Sequence, residues 1–447
     1  MVAGVASGAG KTTVATGLMA ALRARGYRVA AAKVGPDFID PGYHALATGR
    51  PSRNLDSWIC GEAAIAPLAG RSAAGADLLV VEGVMGLFDG ARGDGPDAST
   101  ASIARLLDAP VLLVVDASAM SRSVAAIVHG YASFESDLRV AGVVLNRVGS
   151  PGHLELLREA LAPLGVPVLG ALRRDDAWAW RDRHLGLVPA VEQPAAVTAS
   201  LERLAAATLR SVDLDAIVAL ARSATTRSVD DPVLPERAGQ ARVAVAGGPA
   251  FSFVYRDNLE ALVAAGAELL DFDPLSDPAL PAGTEALYIG GGFPEVYAAE
   301  LASNKALLAD VRARVSNGLV TWAECGGLLW LARSLDGVAL AGVLPTDAEM
   351  TSRLTLGYRT AAARRDTPLA TAGTVLRGHE FHYSTLDPPG DALRLRGWQV
   401  EALGGFATPR LMASYLHLHL GGDPAPACRF VATASRVGTA QDREPLR

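Results

Sequence analysis

The chain has 447 residues, of which 50% are hydrophobic and 20% are charged, and its formal net charge is −6 at pH 7. That length can bury two or three hydrophobic cores, and the acidic balance argues against a nucleic-acid-binding protein, which is usually basic. No charge-free apolar stretch of about 20 residues is present, so the sequence predicts no membrane span. The three cysteines, Cys60, Cys325 and Cys428, show no metal-ligand spacing and favour a protein of the reducing cytoplasm.

The chain begins with a short apolar run, a glycine-rich loop and then a helical pattern. Glycines at Gly8 and Gly10 let backbone N–H groups converge on phosphate oxygens, and a following helix adds the partial positive charge of its N-terminus. Lys11 can reach the β- and γ-phosphates, Thr12 can ligate Mg²⁺, and Thr13 completes the motif. The sequence therefore predicts an ATP-binding loop formed by these five residues.

This loop departs from the strict phosphate-binding pattern G-x-x-x-x-G-K-[ST]. The pattern would place a glycine at position 5, where Val5 stands, and Gly4 is one residue too early. A glycine-rich turn with a surface lysine is the alternative interpretation. The strand before the loop and the helix after it favour phosphate binding.

Apolar runs alternate with helical stretches over the first 190 residues, which predicts a parallel sheet with helices on both faces. The predicted strands are Val2–Ala6, Val29–Lys33, Leu78–Glu82, Val111–Asp116, Val140–Asn146 and Val166–Ala171. Polar residues at the ends of the last strands are candidates to frame a nucleotide base, although they also suit strand ends and helix caps: Asp116, Asn146 and Arg147.

Charged side chains follow the second and third predicted strands, where ligands of a parallel sheet bind. Lys33, Asp37 and Asp40 follow the second strand, and Glu82 and Asp89 follow the third. Mg²⁺ prefers oxygen ligands, so we expect Glu82 to ligate it together with Thr12. We expect the other four residues to form the substrate and acyl-phosphate site. Ordinary turn chemistry is the alternative for the Asp-Pro and Asp-Gly sequences.

The remainder of the chain predicts a second domain of the same class. A helical segment and a polar, Pro-containing linker span 191–240, and a new α/β pattern continues through Arg242–Ala246, Glu268–Phe272, Ala286–Gly290 and Leu319–Ala323. The predicted organisation is a first domain at 1–190, a helix and linker at 191–240, a second domain at 241–436 and a tail at 437–447. Both domains are of the α/β class with a mostly parallel sheet.

The second domain carries a cysteine at a predicted strand-to-helix turn. Cys325 precedes two glycines, a context that projects a thiol and lets the helix N-terminus lower its pKa. The glycine-rich loop at Gly291 and Gly292 also follows a strand and is a candidate oxyanion hole. A thiol nucleophile needs a base, and His417 and His419 both qualify, because alternation puts their imidazoles on the same side of a strand. A buried inert cysteine is the alternative.

Nearly the whole chain resembles the cobyrinic and hydrogenobyrinic acid a,c-diamide synthase family. The first half carries VASGAGKTT, KVGPDFIDPGYH, LDSW and VVEGVMGLFDG, and the second carries GGGFPE, AECGG, GHEFHYS and SYLHLH. The resemblance implies a dethiobiotin-synthetase-like P-loop domain fused to a class I glutamine amidotransferase domain. It aligns Cys325 with the nucleophile and His417 with its base.

Two features depart from the class I amidotransferase pattern. Ala323 replaces the first glycine of the common elbow, and His419 stands two positions after His417, where a Cys-His-Glu triad has its acid. The resemblance thus implies a Cys-His dyad. The role of Gly378-His379-Glu380-Phe381-His382-Tyr383-Ser384 is left open between a site wall and a structural strand.

The resemblance further implies a ligase that uses ATP, Mg²⁺ and glutamine to amidate the a and c carboxylates of a corrinoid, through an acyl phosphate. We expect no nucleic-acid partner and no membrane association, and a homodimer is left open. Basic residues to meet the acidic macrocycle, with Lys33 preferred, are Lys33, Arg53, Arg173, Arg174, Arg359 and Arg377. The alternatives are a nickel-sirohydrochlorin substrate, a cobyric acid synthase and, from another class, a ParA/MinD-like ATPase switch.

Overall fold

The computed structural model describes residues 1–91, 97–174, 182–183, 186–187, 192, 194–224 and 234–441. The chain divides into two compact units, Met1–Pro232 and Val233–Arg447. The predicted α/β class is confirmed, because each unit is built on a mostly parallel sheet with flanking helices. Residues 225–233 of the predicted linker and 442–447 of the predicted tail lie outside the described residues.

A seven-stranded parallel sheet forms the centre of the first unit. Its strands are β1 (Val2–Gly4), β2 (Val29–Val34), β3 (Arg53–Leu55), β4 (Leu78–Glu82), β5 (Val111–Asp116), β6 (Val140–Val148) and β7 (Val168–Arg173). They lie in the order β3-β2-β4-β1-β5-β6-β7. Because β2, β4 and β1 are neighbours and parallel, the loops after them meet at one edge of the sheet.

Helices cover this sheet. They are α1 (Lys11–Ala24), α2 (Asp40–Thr48), α3 (Ser57–Cys60), α4 (Ile65–Ala73), α5 (Thr100–Leu106), α6 (Ser123–Ser133), α7 (Pro151–Leu161), α8 (Pro194–Ser211) and α9 (Leu214–Arg222), and β8 (Asp182–Arg183) pairs with β9 (Gly186–Leu187). A Cβ added to Gly17 of α1 would lie 2.6 Å from Thr208 Oγ1, so α8 packs closely on α1. The helical part of the predicted connecting segment thus lies within the first unit.

The second unit contains two sheets. Its strands are β10 (Ala241–Ala246), β11 (Ala267–Phe272), β12 (Ala286–Ile289), β13 (Val320–Glu324), β14 (Ser334–Leu335), β15 (Val338–Ala339), β16 (Asp347–Ala363), β17 (Val375–Asp387), β18 (Leu393–Gly397), β19 (Val400–Gly404), β20 (Phe406–Thr408), β21 (Leu411–Ser414) and β22 (His417–Leu418). The helices are α10 (Arg256–Ala265), α11 (Ala298–Ser303), α12 (Lys305–Ser316), α13 (Gly326–Leu331) and α14 (Ala425–Gln441).

The first sheet of this unit has the order β11-β10-β12-β13-β21-β20 and is parallel except for the β20–β21 pair. The second sheet is mixed, with the order β15-β14-β16-β17-β22, and β18 and β19 extend it beside β16. The long antiparallel pair β16–β17 dominates this sheet, and the sequence did not predict it. None of the described helices is both long and apolar enough to cross a membrane.

Candidate functional site

The glycine-rich loop lies between β1 and α1, as predicted. Gly8 and Gly10 have φ angles of 76° and 93°, which favour glycine. A Cβ on Gly10 would lie 1.9 Å from Asn146 Nδ2, and that amide donates to the Ala9 carbonyl at 3.1 Å. The end of β6 therefore supports the loop from behind, and Thr13 lies in the first turn of α1.

The early glycine of the loop has a structural reason. A Cβ on Gly4 would lie 2.8 Å from Lys11 Cγ, so the lysine side chain folds back over this position. Lys11 Nζ donates to the Ala6 carbonyl at 3.1 Å. Burial lowers the pKa of Lys11 to about 8, and the nearby Lys33 charge also lowers it. The loop thus holds a buried cation at the N-terminus of α1.

Side-chain oxygens from α1, α2 and β4 converge beside this loop. Thr12 Oγ1 lies 2.7 Å from Glu82 Oε1 and 3.4 Å from Asp40 Oδ2. Lys33 Nζ lies among them, 2.5 Å from Asp40 Oδ2 and 2.9 Å from Glu82 Oε1, and also donates to the Gly83 carbonyl at 3.1 Å. The structure thus brings together four of the side chains predicted for the metal and substrate sites.

The charged groups of this cluster shift one another's pKa values. Burial lowers the pKa of Lys33, but the charges of Asp40, Glu82 and Asp37 outweigh burial and raise it. Burial raises the pKa of Glu82, but Lys33 and His44 outweigh burial and lower it. Burial and the charge of Asp37 raise the pKa of Asp40 well above its usual value. Glu82 is therefore the stable anion of the cluster.

This oxygen set fits magnesium. Among the residues that the structure describes, no group of three or more His, Cys, Asp or Glu side chains is arranged as a metal site. Mg²⁺ does not require one, because it takes one or two carboxylates and completes its shell with phosphate oxygens and water. The Thr12 hydroxyl and the Glu82 and Asp40 carboxylates are donors of the right kind.

His44 is a member of this cluster that the sequence analysis missed. Its Nε2 lies 2.6 Å from Glu82 Oε2, its Nδ1 lies 3.2 Å from Ser52 Oγ, and the ring is fully buried. His44 stands four residues after Asp40 on α2, and residues at that spacing face the same way on a helix. This four-residue spacing was the sequence signal that could have placed His44 beside Asp40.

Asp37 and Asp89 make the local contacts of turn residues. Asp37 Oδ1 accepts from the Ile39 amide at 2.7 Å and from the Asp40 amide at 3.2 Å, before α2. Asp89 Oδ2 accepts from the Gly86 amide at 2.8 Å. Both stay close enough to influence the pKa of Lys33 and Lys11 respectively. Their predicted substrate role stays a prediction.

Arg147 is another polar residue at the glycine-rich loop. It has a φ of 57°, its Nη1 donates to the Gly8 carbonyl at 3.0 Å, and it pairs with Asp116. The predicted base-framing group, Asp116, Asn146 and Arg147, therefore contacts the loop itself or a residue that does.

In the second unit, Cys325 occupies a strained turn. β13 ends at Glu324 and α13 begins at Gly326, and Cys325 between them has φ 45° and ψ −97°. Such a backbone costs about 1–3 kcal/mol in a non-glycine residue and persists where the surroundings enforce it. A Cβ on Gly327 would lie 2.6 Å from the Ile289 carbonyl, so glycine is required after this turn.

His417 faces the thiol. Its imidazole interacts with the Cys325 side chain, and both side chains are buried. Burial lowers the pKa of His417, but the interactions with Cys325 and Glu324 outweigh burial and raise it to about 9. His419 is directed elsewhere, with Nε2 3.7 Å from Asp257 Oδ2 and its ring 4.3 Å from that of Tyr255. The geometry thus favours His417 over His419 as the base.

The two glycines of the predicted oxyanion hole differ. Gly291 N–H donates to the Phe253 carbonyl at 3.0 Å, so this amide is already engaged. Gly292 N lies 2.9 Å from where a Cβ on Gly326 would stand, directly at the turn that carries Cys325. A Cβ on Gly291 would lie 2.5 Å from His417 Cε1. Of the two predicted oxyanion donors, this geometry favours Gly292, and the oxyanion role stays a prediction.

Glu324 is a second residue that the sequence analysis missed. It is 1% exposed, and its Oε2 lies 3.8 Å from His417 Nδ1. The analysis looked for an acid only after His417, whereas this carboxylate directly precedes the nucleophile.

The segment that the sequence left open is part of β17, beside the thiol site. His379 pairs with His417 across β17 and β22, and their rings stack with centroids 4.9 Å apart. His382 stacks on Tyr415 at 3.6 Å and donates from Nδ1 to the Ser384 carbonyl at 2.9 Å. Burial lowers the pKa of His379 well below its usual value and that of His382 to about 4. Both imidazoles are therefore neutral at pH 7.

Basic residues predicted to meet an acidic substrate are dispersed. Arg359 is buried and pairs with Glu380 at 2.8 Å in the second unit, whereas Arg173 and Arg174 are exposed in the first. Lys33 is in direct contact with the cluster at the glycine-rich loop.

Both halves of the chain match family models. Residues 1–187 match the CobQ/CobB/MinD/ParA nucleotide binding domain, and residues 242–425 match the CobB/CobQ-like glutamine amidotransferase domain. A solved structure of PurLQS from Thermotoga maritima aligns at 17% identity with a TM-score of 0.31, over 43% of this chain and 97% of that chain, which is too low a score to support an argument.

Similar proteins span the whole chain. A hydrogenobyrinate a,c-diamide synthase from Streptomyces coelicolor is 48% identical over 96% of this chain and 96% of its own. Another from Thermobifida fusca is 50% identical over 96% of this chain and 95% of its own. A cobyrinate a,c-diamide synthase from Synechococcus sp. is 44% identical over 98% of this chain and 99% of its own.

Proposed function

The chain belongs to the family of hydrogenobyrinate and cobyrinate a,c-diamide synthases, and from this premise we propose that it amidates the a and c carboxylates of such a corrinoid with ATP and glutamine. The observation that carries the proposal is the presence of two intact sites in one chain: a phosphate loop beside Thr12 and Glu82, and a thiol–imidazole pair formed by Cys325 and His417. One site suits phosphoryl transfer, and the other suits ammonia release.

In the second unit, the Cys325 thiolate attacks the side-chain amide carbon of glutamine. The raised pKa of His417 favours its imidazolium, which gives its proton to the departing nitrogen so that ammonia leaves and a glutamyl thioester remains. The Gly292 amide supports the tetrahedral oxyanion. Water, deprotonated by His417, then hydrolyses the thioester to glutamate and restores the thiol.

In the first unit, a substrate carboxylate oxygen attacks the γ-phosphorus of ATP, and ADP leaves. The acyl phosphate has the leaving group that a free carboxylate lacks, so ammonia attacks its acyl carbon, expels phosphate and forms the amide. Lys11, held at the N-terminus of α1, stabilises the negative charge of the transferred phosphoryl group. Protonated ammonium is not a nucleophile, so the ammonia must arrive unprotonated.

Magnesium held by Thr12 and Glu82, with Asp40 beside them, would neutralise phosphate charge during this transfer. Lys33 already donates to Asp40, Glu82 and the Gly83 carbonyl. Contact between Lys33 and a substrate carboxylate therefore requires the exchange of one of these partners. Asp37 and Asp89 support this site through the turns that they form.

The choice of macrocycle follows the relatives. The relatives named above that are 48–50% identical are hydrogenobyrinate a,c-diamide synthases, and one named for cobyrinate is 44% identical. Metal-free hydrogenobyrinate is therefore the first substrate to test, with cobyrinate and nickel-sirohydrochlorin as alternatives. A ParA/MinD-like switch is disfavoured, because its nucleotide-binding family model accounts for only residues 1–187.

The test is a mass-spectrometric assay of each macrocycle with MgATP and glutamine. We expect acid-to-amide replacement at both carboxylates by the wild type. Cys325→Ala should lose this activity with glutamine and keep it with ammonium salts, since only ammonia release needs the thiol. ATP turnover without amidation of any macrocycle would contradict the proposal.

A further inference from the structure

Glu324 is a buried carboxylate at the thiol site that the proposed mechanism has not yet used. It is the last residue of β13, directly before Cys325, and is 1% exposed. Its Oε1 accepts from the Leu418 amide at 2.9 Å, and its Oε2 accepts from the Tyr288 hydroxyl at 3.2 Å. Both oxygens are therefore fixed, one of them by the residue that follows His417.

The same carboxylate faces the imidazole. Its Oε2 lies 3.8 Å from His417 Nδ1, which is outside direct hydrogen-bond range and inside the range of an ion pair. Catalytic contacts are often this long before substrate binds and then tighten. The position two residues after His417, where an acid would complete a class I triad, is occupied by His419.

We propose that Glu324 completes the Cys325–His417 pair as a positioning residue that orients the imidazole through Nδ1 and stabilises its protonated form. This inference rests on the proposed glutaminase half-reaction. With Nδ1–H directed at the carboxylate, Nε2 takes the thiol proton and returns it to the amide nitrogen as ammonia leaves. Glu324 exchanges no proton in this scheme, so it acts only through His417.

The supply of this acid from the nucleophile's own strand has a structural logic. Glu324 and Cys325 are consecutive, so the carboxylate and the thiol move together, and the base is held between them. The Leu418 amide bond ties the strand of His417 to the same carboxylate. One side chain thereby fixes both the ring orientation and the position of the backbone that carries the ring.

Other groups near His417 do not supply a negative charge in this way. His379 stacks on its other side with a lowered pKa and is neutral at pH 7. His382 is also neutral, and Glu380 is paired with Arg359. Glu380 also lies within electrostatic range of His417 but is neutralised by Arg359, so Glu324 is the carboxylate that we assign to Nδ1 of this ring.

The decisive variant is Glu324→Gln, which keeps the shape and an oxygen for the Leu418 amide. Its NH₂ group would face Nδ1 and favour the wrong tautomer of His417. We expect the glutaminase kcat to fall by about 10²-fold or more, with the KM for glutamine changed by less than about threefold. The ammonia-dependent rate should be unchanged. Glu349→Gln, the same change at an exposed position of β16, is the matched control.

A second readout separates positioning from a purely structural role. NMR titration of ¹⁵N-histidine-labelled protein, assigned with His417→Gln, should show the His417 midpoint lower by about one unit or more in Glu324→Gln. Tyr288→Phe removes one donor but leaves the carboxylate charge, and should raise the same midpoint. If Glu324→Gln does not fold, the His417 midpoint in Tyr288→Phe tests the proposed contact instead.

The inference is overturned if the glutaminase kcat and the His417 midpoint are both unchanged in Glu324→Gln, or if Tyr288→Phe leaves the midpoint unchanged when Glu324→Gln does not fold. Failure of the proposed function is a separate outcome, because it would appear as ATP turnover without amidation of any macrocycle by the wild type. The NMR titration tests the contact in either case.

Discussion

The contact between Gly10 and Asn146 gives a quantitative test of the phosphate loop. Gly8 and Gly10 both have left-handed φ angles, 76° and 93°. A Cβ on Gly8 meets nothing within 4 Å, whereas a Cβ on Gly10 would lie 1.9 Å from Asn146 Nδ2. The two alanine substitutions therefore share a conformational cost and differ in a single steric contact.

The magnitudes follow from these two terms. A left-handed conformation costs a non-glycine residue about 1–2 kcal/mol, which is the whole expected cost of Gly8→Ala. Gly10→Ala must also displace the Asn146 amide from the Ala9 carbonyl, which adds about 1 kcal/mol for the hydrogen bond and a further cost of repacking. We expect Gly10→Ala to exceed Gly8→Ala by about 1–2 kcal/mol, or roughly 5- to 30-fold in ATP affinity if the loop relaxes when empty.

The assay is calorimetric ATP binding together with thermal unfolding, because the cost is paid in stability if the loop keeps its shape and in affinity if it does not. Asn146→Ala in the Gly10→Ala background should remove the clash, so the double variant should be less damaged than the sum of the single variants by about 1 kcal/mol. Equal damage from Gly8→Ala and Gly10→Ala in both measurements, or simple additivity of the double variant, would refute the reasoning.

Three further predictions concern buried charges. His44→Gln weakens a buried, charge-assisted contact with Glu82 and should lower the free energy of unfolding by about 2 kcal/mol, measured by thermal unfolding. The folded-state pKa of His417 is about 9, above its ordinary 6.5. Protonation of His417 therefore stabilises the fold fully below about pH 6.5, and this stabilisation is lost as the pH rises through 9. The difference in the free energy of unfolding between wild type and His417→Gln, measured against pH, tests this contribution. Arg359→Met leaves the Glu380 carboxylate buried without the guanidinium that lies 2.8 Å from it, and should lower the free energy of unfolding by about 3–5 kcal/mol in thermal unfolding.

Each of these predictions has a control. Ser52→Ala removes only the hydroxyl partner of His44 Nδ1, so it should lower the free energy of unfolding by less than His44→Gln does. Asp391→Asn breaks the exposed pairs with Arg364 and Arg365 and should cost less than about 1 kcal/mol, in contrast to Arg359→Met. A flat difference between wild type and His417→Gln from pH 6 to 10 would contradict the assigned pKa of His417.

The parallel sheets could be predicted from the sequence because their strands are continuous buried runs. The observed bounds of Leu78–Glu82 and Val111–Asp116 agree with the prediction, and both strands lie inside the seven-stranded sheet. Arg53–Leu55 escaped prediction because it is a three-residue edge strand with polar side chains. The useful signal in the sequence was the continuous apolar run that burial on both faces requires, rather than strand propensity.

The mixed sheet of the second unit could not be predicted in the same way. Asp347–Ala363 and Val375–Asp387 mix exposed, half-buried and polar residues, and a register shift between Met350 and Thr355 interrupts their pairing. No apolar run marks such strands. Their partners are decided by pairing across distant parts of the chain.

The candidate site was predictable where chemistry and sequence motif coincide, and not where it depends on distant neighbours. Cys325, Thr12 and Glu82 stand directly at strand or helix ends. Glu324 and His44 act on residues 93 and 38 positions away, His417 and Glu82, through contacts that only the folded chain creates.

The proposed nucleophile and its proposed base belong to different sheets of the second unit. Cys325 follows β13 of the mostly parallel sheet, whereas His417 lies on β22 of the mixed sheet, and only Tyr415 and Leu416 connect β21 to β22. The Cys325 amide donates to the Ser414 carbonyl at 2.8 Å, and the Leu418 amide donates to Glu324 Oε1 at 2.9 Å, so two hydrogen bonds beside the pair connect the end of β13 to β21 and β22. The distance between thiol and imidazole therefore depends both on these contacts and on the packing of one sheet on the other. Glutamine hydrolysis by the proposed pair would therefore require that the packing between the two sheets be kept, in addition to the fold of each sheet.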